Sequence, residues 1–97
     1  MSVMNKEREI PEKLKTVAFN DFTISITKTT LFYDMIAEGT VDKLKRIKKK
    51  LGLNSDIIKD GIYGNPLIVI DTYDEEGDVY EYFKEIEKKM FKEGLNE

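Results

Sequence analysis

Five carboxylates crowd one short stretch of this chain: Asp71, Asp74, Glu75, Glu76 and Asp78. Acids at this density, starting at the end of an apolar run, could gather a divalent cation for phosphodiester hydrolysis, because magnesium wants oxygen ligands and an open position for substrate. The spacing does not follow that chemistry. The ligands do not alternate as in a calcium loop, and Asp78 has a simpler use as a helix cap. The 97 residues contain neither histidine nor cysteine, which removes the commonest transition-metal ligand, the usual general base near neutral pH and the thiolate nucleophile. The chain is therefore expected to use no metal or cofactor and to have no catalytic residues.

Charge is sorted along the sequence. Residues 42 to 50 hold Lys43, Lys45, Arg46, Lys48, Lys49 and Lys50 against Asp42, whereas residues 71 to 87 hold eight acids against Lys84. A small protein that keeps two opposite fields apart usually presents one of them to a partner. Lys43, Arg46 and Lys50 fall at i, i+3 and i+7 and could line a phosphate track, the reading of a small nucleic-acid-binding regulator. Lysines in the last turns of a helix also complement its dipole, no aromatic residues interleave for base stacking, and the net charge is -3, so nucleic acid is not the expected partner. The acidic stretch is the better candidate for contact with a protein partner, through Asp74, Glu75, Glu76, Tyr80, Glu81 and Glu85, since aromatic anchors dominate interface energetics. Two plainer accounts stand beside it. Tyr80 and Phe91 could widen a core stripe, and Glu81 with Lys84 or Glu85 with Lys89 could neutralise one another along a helix.

The elements that must position these residues read as ββαββα. A hairpin is expected over Val17 to Thr27 with Asn20-Asp21 as its turn, Phe19 facing Phe22 and Val17 facing Ile24. Thr29 or Thr30 opens a helical stretch in which Leu31, Phe32, Met35 and Ile36 are three and four apart. Gly39 stops it, Thr40 caps a second helical segment over Val41 to Leu51, and Gly52 ends that. A strand signal returns near Ile57 and, after the turn Tyr63-Gly64-Asn65-Pro66, gives Leu67 to Ile70, apolar on both faces. A last helix, capped by Asp78, carries the stripe Val79, Tyr82, Phe83, Ile86 and Met90. The expected fold is α+β, an antiparallel sheet of about four or five strands with helices on one face, in a single domain over 11 to 97 behind a polar tail of residues 1 to 10. Two helical elements cover only one face of such a sheet. A second copy, seated on Ile68, Val69 and Ile70, is the expected cover for the other, with N-terminal residues or long side chains folded over that face as the alternative.

With 36 % charged residues, lysine far ahead of arginine and no glutamine, tryptophan or cysteine, the composition is that of proteins from hyperthermophiles, although an AT-rich genome gives part of the same bias. No apolar run approaches the roughly 20 residues of a membrane span and the start is too polar for a signal peptide, so an intracellular, soluble protein is expected.

In its length and its Lys/Ile/Glu-rich composition, with the hairpin TVAFNDFTISITKTT and the acidic tail IVIDTYDEEGDVYEYFKEIEKKMFKEG, the chain resembles the small anti-CRISPR proteins of rod-shaped viruses of hyperthermophilic archaea that inhibit type I-D interference. The likeness is to the whole chain, and no short motif carries it. It implies a compact homodimer in the host cytoplasm that binds the large, nuclease-bearing subunit of the host effector complex stoichiometrically, without catalysis. Carboxylates suit that task, because they steer association toward basic surfaces and can occupy places meant for phosphates.

Overall fold

The computed structural model describes residues 10–92, so the expected polar tail lies, apart from Ile10, outside the described residues. Three strands come first: β1 (Glu12–Ala18), β2 (Phe22–Lys28) and β3 (Tyr33–Gly39). They are followed by α1 (Val41–Leu51), β4 (Leu67–Tyr73) and α2 (Glu76–Lys92). The strands form one antiparallel sheet in the order β1-β2-β3-β4. The fold is α+β, with element order βββαβα.

Alternation along β2 sorts the sheet into two faces. Phe22, Ile24 and Ile26 join Met35 and Ala37 of β3 and Ile68 and Ile70 of β4 in one apolar cluster, closed by Leu44 and Ile47 of α1 and Val79, Phe83, Ile86 and Met90 of α2. Full burial of each such side chain is worth about 1.5–3 kcal/mol, so this shared cluster is what holds both helices to one face of the sheet. The stripe expected on the last helix is the one observed, with Tyr82 at its half-buried margin.

The hairpin forms as expected. Val17 pairs with Ile24, the Phe19 N–H donates to the Phe22 carbonyl at 2.8 Å, and the two rings stack with centroids 4.7 Å apart. Beyond it lies the main correction: residues 33 to 39 are a strand and not a helix. Met35 and Ala37 enter the core while Ile36 and Glu38 are buried on the opposite face, so the three-and-four spacing of apolar residues there came from a strand covered on both sides. Thr29 still acts as a cap, but of a turn. Its Oγ1 accepts from the Phe32 and Leu31 N–H groups at 3.3 and 3.4 Å, bending the chain from β2 into β3.

Helix α1 has the expected boundaries. The Thr40 hydroxyl accepts from the Lys43 N–H at 3.2 Å, and Gly52 adopts a left-handed conformation (φ 67°) while the Leu53 N–H closes on the Lys48 carbonyl at 3.0 Å. Asp78, by contrast, is not a cap. The helix begins at Glu76, and Asp78 sits in its first turn, where its charge complements the exposed N–H groups.

The strand expected near Ile57 is reduced to a single bridge. Ile58 exchanges two backbone hydrogen bonds with Leu67, at 2.8 and 2.9 Å, and the Ser55 hydroxyl donates to the Val69 carbonyl at 2.6 Å. Segment 53–66 thus runs along β4 and folds over the sheet face opposite the helices. At the other edge, β1 carries a bulge between Lys13 and Lys15. Lys13 reaches Glu38 at 2.6 Å, and Lys15 lies over the Phe83 ring, 5.1 Å from its centroid.

Candidate functional site

The acidic residues singled out in the sequence fall on one continuous surface. Asp74 and Glu75 form the turn between β4 and α2, Glu76 opens the helix, and Asp78, Glu81 and Glu85 follow at i, i+3 and i+7. All six are exposed. None of them enters an ion pair among the described residues: the three salt bridges there join Lys13 to Glu38, Lys43 to Asp21 and Lys48 to Asp56. The helix pairs that would have neutralised Glu81 and Glu85 are not closed, so the ridge keeps its charge.

Tyr80 is half-buried beside the core, with the Lys15 Nζ 5.9 Å from its ring centroid. It borders the ridge and does not crown it. Phe91 belongs elsewhere: fifteen residues of helix place it roughly 22 Å from the acidic turn, and its ring lies 6.1 Å from that of Phe19.

Of the residues expected at a dimer seam, Ile68 and Ile70 are buried in the chain's own core, facing the helices. Only Val69 turns to the other face, half-buried next to its register partner Ile36. The apolar surface expected to need a second copy is thereby reduced, within the run 68–70, to Val69. That face is largely polar, with Ser25, Thr27, Asp34 and Glu38, and its apolar part lies beneath segment 53–66.

The phosphate track on α1 is broken at its first position. The Lys43 side chain is 2 % exposed, 3.4 Å from an Asp21 carboxylate oxygen, with its Nζ 5.3 Å from the Phe22 centroid. Lys45, Arg46, Lys49 and Lys50 remain as the exposed basic face. Among the described residues, no three acids gather closely enough to hold a metal ion. Asp71 instead accepts from the Thr72 N–H at 2.8 Å.

A cleft of about 250 Å³, unmarked by any sequence motif, lies between segment 57–63 and the sheet. Its floor is Thr27, Ile36 and Val69; its wall is Ile58, Ile62 and Tyr63. Asp34 and Asp60 bring two carboxylates to the lining, and the Thr72 hydroxyl donates to Asp34 Oδ1 at 2.6 Å. The Tyr63 hydroxyl donates to the Pro11 carbonyl, and the Lys13 Nζ sits 4.4 Å from the Tyr63 centroid, so β1 pins the wall in place. Burial, followed by the charges of Glu38 and Asp34, raises the Tyr63 pKa above the ordinary tyrosine value. At the far end of the same two strands Tyr73 is shifted the same way, by burial first and then by Asp71.

No helix among the described residues is long and apolar enough to cross a membrane. No known protein family, curated protein or solved structure matches the chain.

Proposed function

We propose that this protein works by binding and not by catalysis: it is a stoichiometric inhibitor whose acidic ridge occupies a basic surface on a nucleic-acid-handling partner. The observation that carries this reading is that Asp74, Glu75, Glu76, Asp78, Glu81 and Glu85 share one exposed surface and form no ion pair among the described residues. Like charges held together in a small domain repel, and that repulsion is relieved when a basic partner meets them. The resemblance to the archaeal-virus anti-CRISPR proteins names the partner we propose, the large subunit of a type I-D interference complex in the host cytoplasm.

Reversing Glu75, Glu76 and Glu81 to Lys tests the proposal. All three are exposed, so the variant should keep the parent's circular dichroism and unfolding midpoint while losing binding to the purified complex and inhibition of its cleavage. Moderate salt should slow association of the parent more than it speeds dissociation. A triple variant that binds and inhibits like the parent would remove the ridge from the account. Nanomolar, sequence-selective retention of DNA or RNA at physiological salt would favour instead the basic face of α1.

A further inference from the structure

We infer that the cleft between segment 57–63 and the sheet is a receptor for one basic side chain, a lysine or arginine of a protein partner, seated with its hydrocarbon stem on Ile36 and Val69 and its charged head at Asp34 and Asp60. This rests on the reading of the chain as a protein binder and adds a second point of contact to it.

Three features specify the occupant. Among the described residues, carboxylates are the only charged groups in the lining, and no lysine or arginine contributes to it. Lys13, whose Nζ lies over the Tyr63 ring of the wall, is held by Glu38. An anion is therefore repelled and a cation attracted.

The walls between the two acids are apolar, and about 250 Å³ lies below the volume of most sites for drug-sized ligands. A methylene chain ending in a cation matches both the size and the pattern, as long basic side chains lay their stems on apolar surface while their heads seek charge.

The surroundings favour a side chain from a macromolecule over a free amine. Ile58 and Ile62 are 47 and 39 % exposed at the wall. Two large apolar groups beside one small cleft are what a protein surface covers when it delivers an anchor residue. The Asp34 end of the cleft lies near the start of the ridge along the chain, because Asp34 pairs in register with Thr72, two residues before Asp74.

The test titrates the isotope-labelled full chain with Nα-acetyl-arginine methylamide and, separately, with the citrulline analogue, of the same length but neutral. The arginine probe should shift the amide resonances of Ile36, Ile58 and Val69 with a low-millimolar Kd, and the citrulline probe should bind at least tenfold more weakly. Asp34→Asn and Asp60→Asn should each weaken the arginine probe at least fivefold. The Glu75, Glu76 and Glu81 charge-reversal variant should retain the cleft response, so that loss of cleft binding and loss of ridge binding are read separately. Equal binding of the two probes, shifts confined to residues 74–85, or no shifts at all would overturn the inference. So would the same shifts on raising the concentration of the unprobed protein, because a second copy would then be the occupant.

Discussion

Lys43 shows how one side chain decides between two readings of a surface. In the sequence it opens a basic helical track; in the fold it is buried, and its ammonium faces Asp21 and the Phe22 ring. Lys43→Ala leaves a void under the hairpin turn and removes the ion pair to the solvent-exposed Asp21, and should cost about 2 kcal/mol in urea unfolding, whereas Arg46→Ala, on the exposed face, should stay within about 0.5 kcal/mol. Equal effects of the two would return Lys43 to the surface track. Tyr73 gives a second prediction at this scale. Its pKa is raised in the fold, so above about pH 10 the unfolded chain loses the phenolic proton first and stability falls as pH rises, while below that pH nothing is lost. Tyr73→Phe should flatten the alkaline limb of a plot of unfolding midpoint against pH and leave the neutral region little changed. Tyr63 contributes to the same limb, so the flattening should be partial.

At the scale of elements, two glycines in the connection between α1 and β4 have opposite surroundings. Gly52 is left-handed with open space where a Cβ would go, so Gly52→Ala should cost only the conformational term of about 1 kcal/mol. A Cβ on Gly61 would lie 2.2 Å from the Asn65 carbonyl oxygen and 2.8 Å from Leu67 Cδ2. Gly61→Ala should therefore cost clearly more than Gly52→Ala in the same unfolding experiment, and should release segment 57–63 from β4. How much of this was legible in the sequence follows from locality. The first hairpin, α1 with both its caps and the stripe of α2 are written in neighbours a few residues apart, and all are found where that reading placed them. Strand β3 looks helical in sequence because Met35 and Ile36 are both buried, on opposite faces, and the Lys13 that pairs with Glu38 Oε1 on its outer face lies 25 residues away. Segment 53–66 has no period at all, so its role as the cover of the sheet, and with it the cleft, could not be read before the chain was folded. The acidic ridge was legible as composition; that its charges stay unpaired was not.

For the whole molecule, the position of Ile68 and Ile70 changes the expected species in solution. With both inside and the outer face partly closed by the chain itself, light scattering at micromolar concentration should give the 11.3 kDa of one chain. A mass twice that would place a seam at Val69 and the isoleucines beside the cleft. An open four-stranded sheet also has two rows of backbone groups seeking further strands. Here one row is interrupted by the bulge in β1 and shadowed by Lys13 and Lys15, and part of the other is occupied by Ile58 and Ser55. Such edges resist stacking into aggregates at high concentration. An enzyme can act on many targets in turn, but an inhibitor that acts one to one has to be present in at least the number of its targets. Under the proposed one-to-one inhibition the ceiling on the dose is the protein's own solubility, and the blunted edges of this sheet would raise that ceiling.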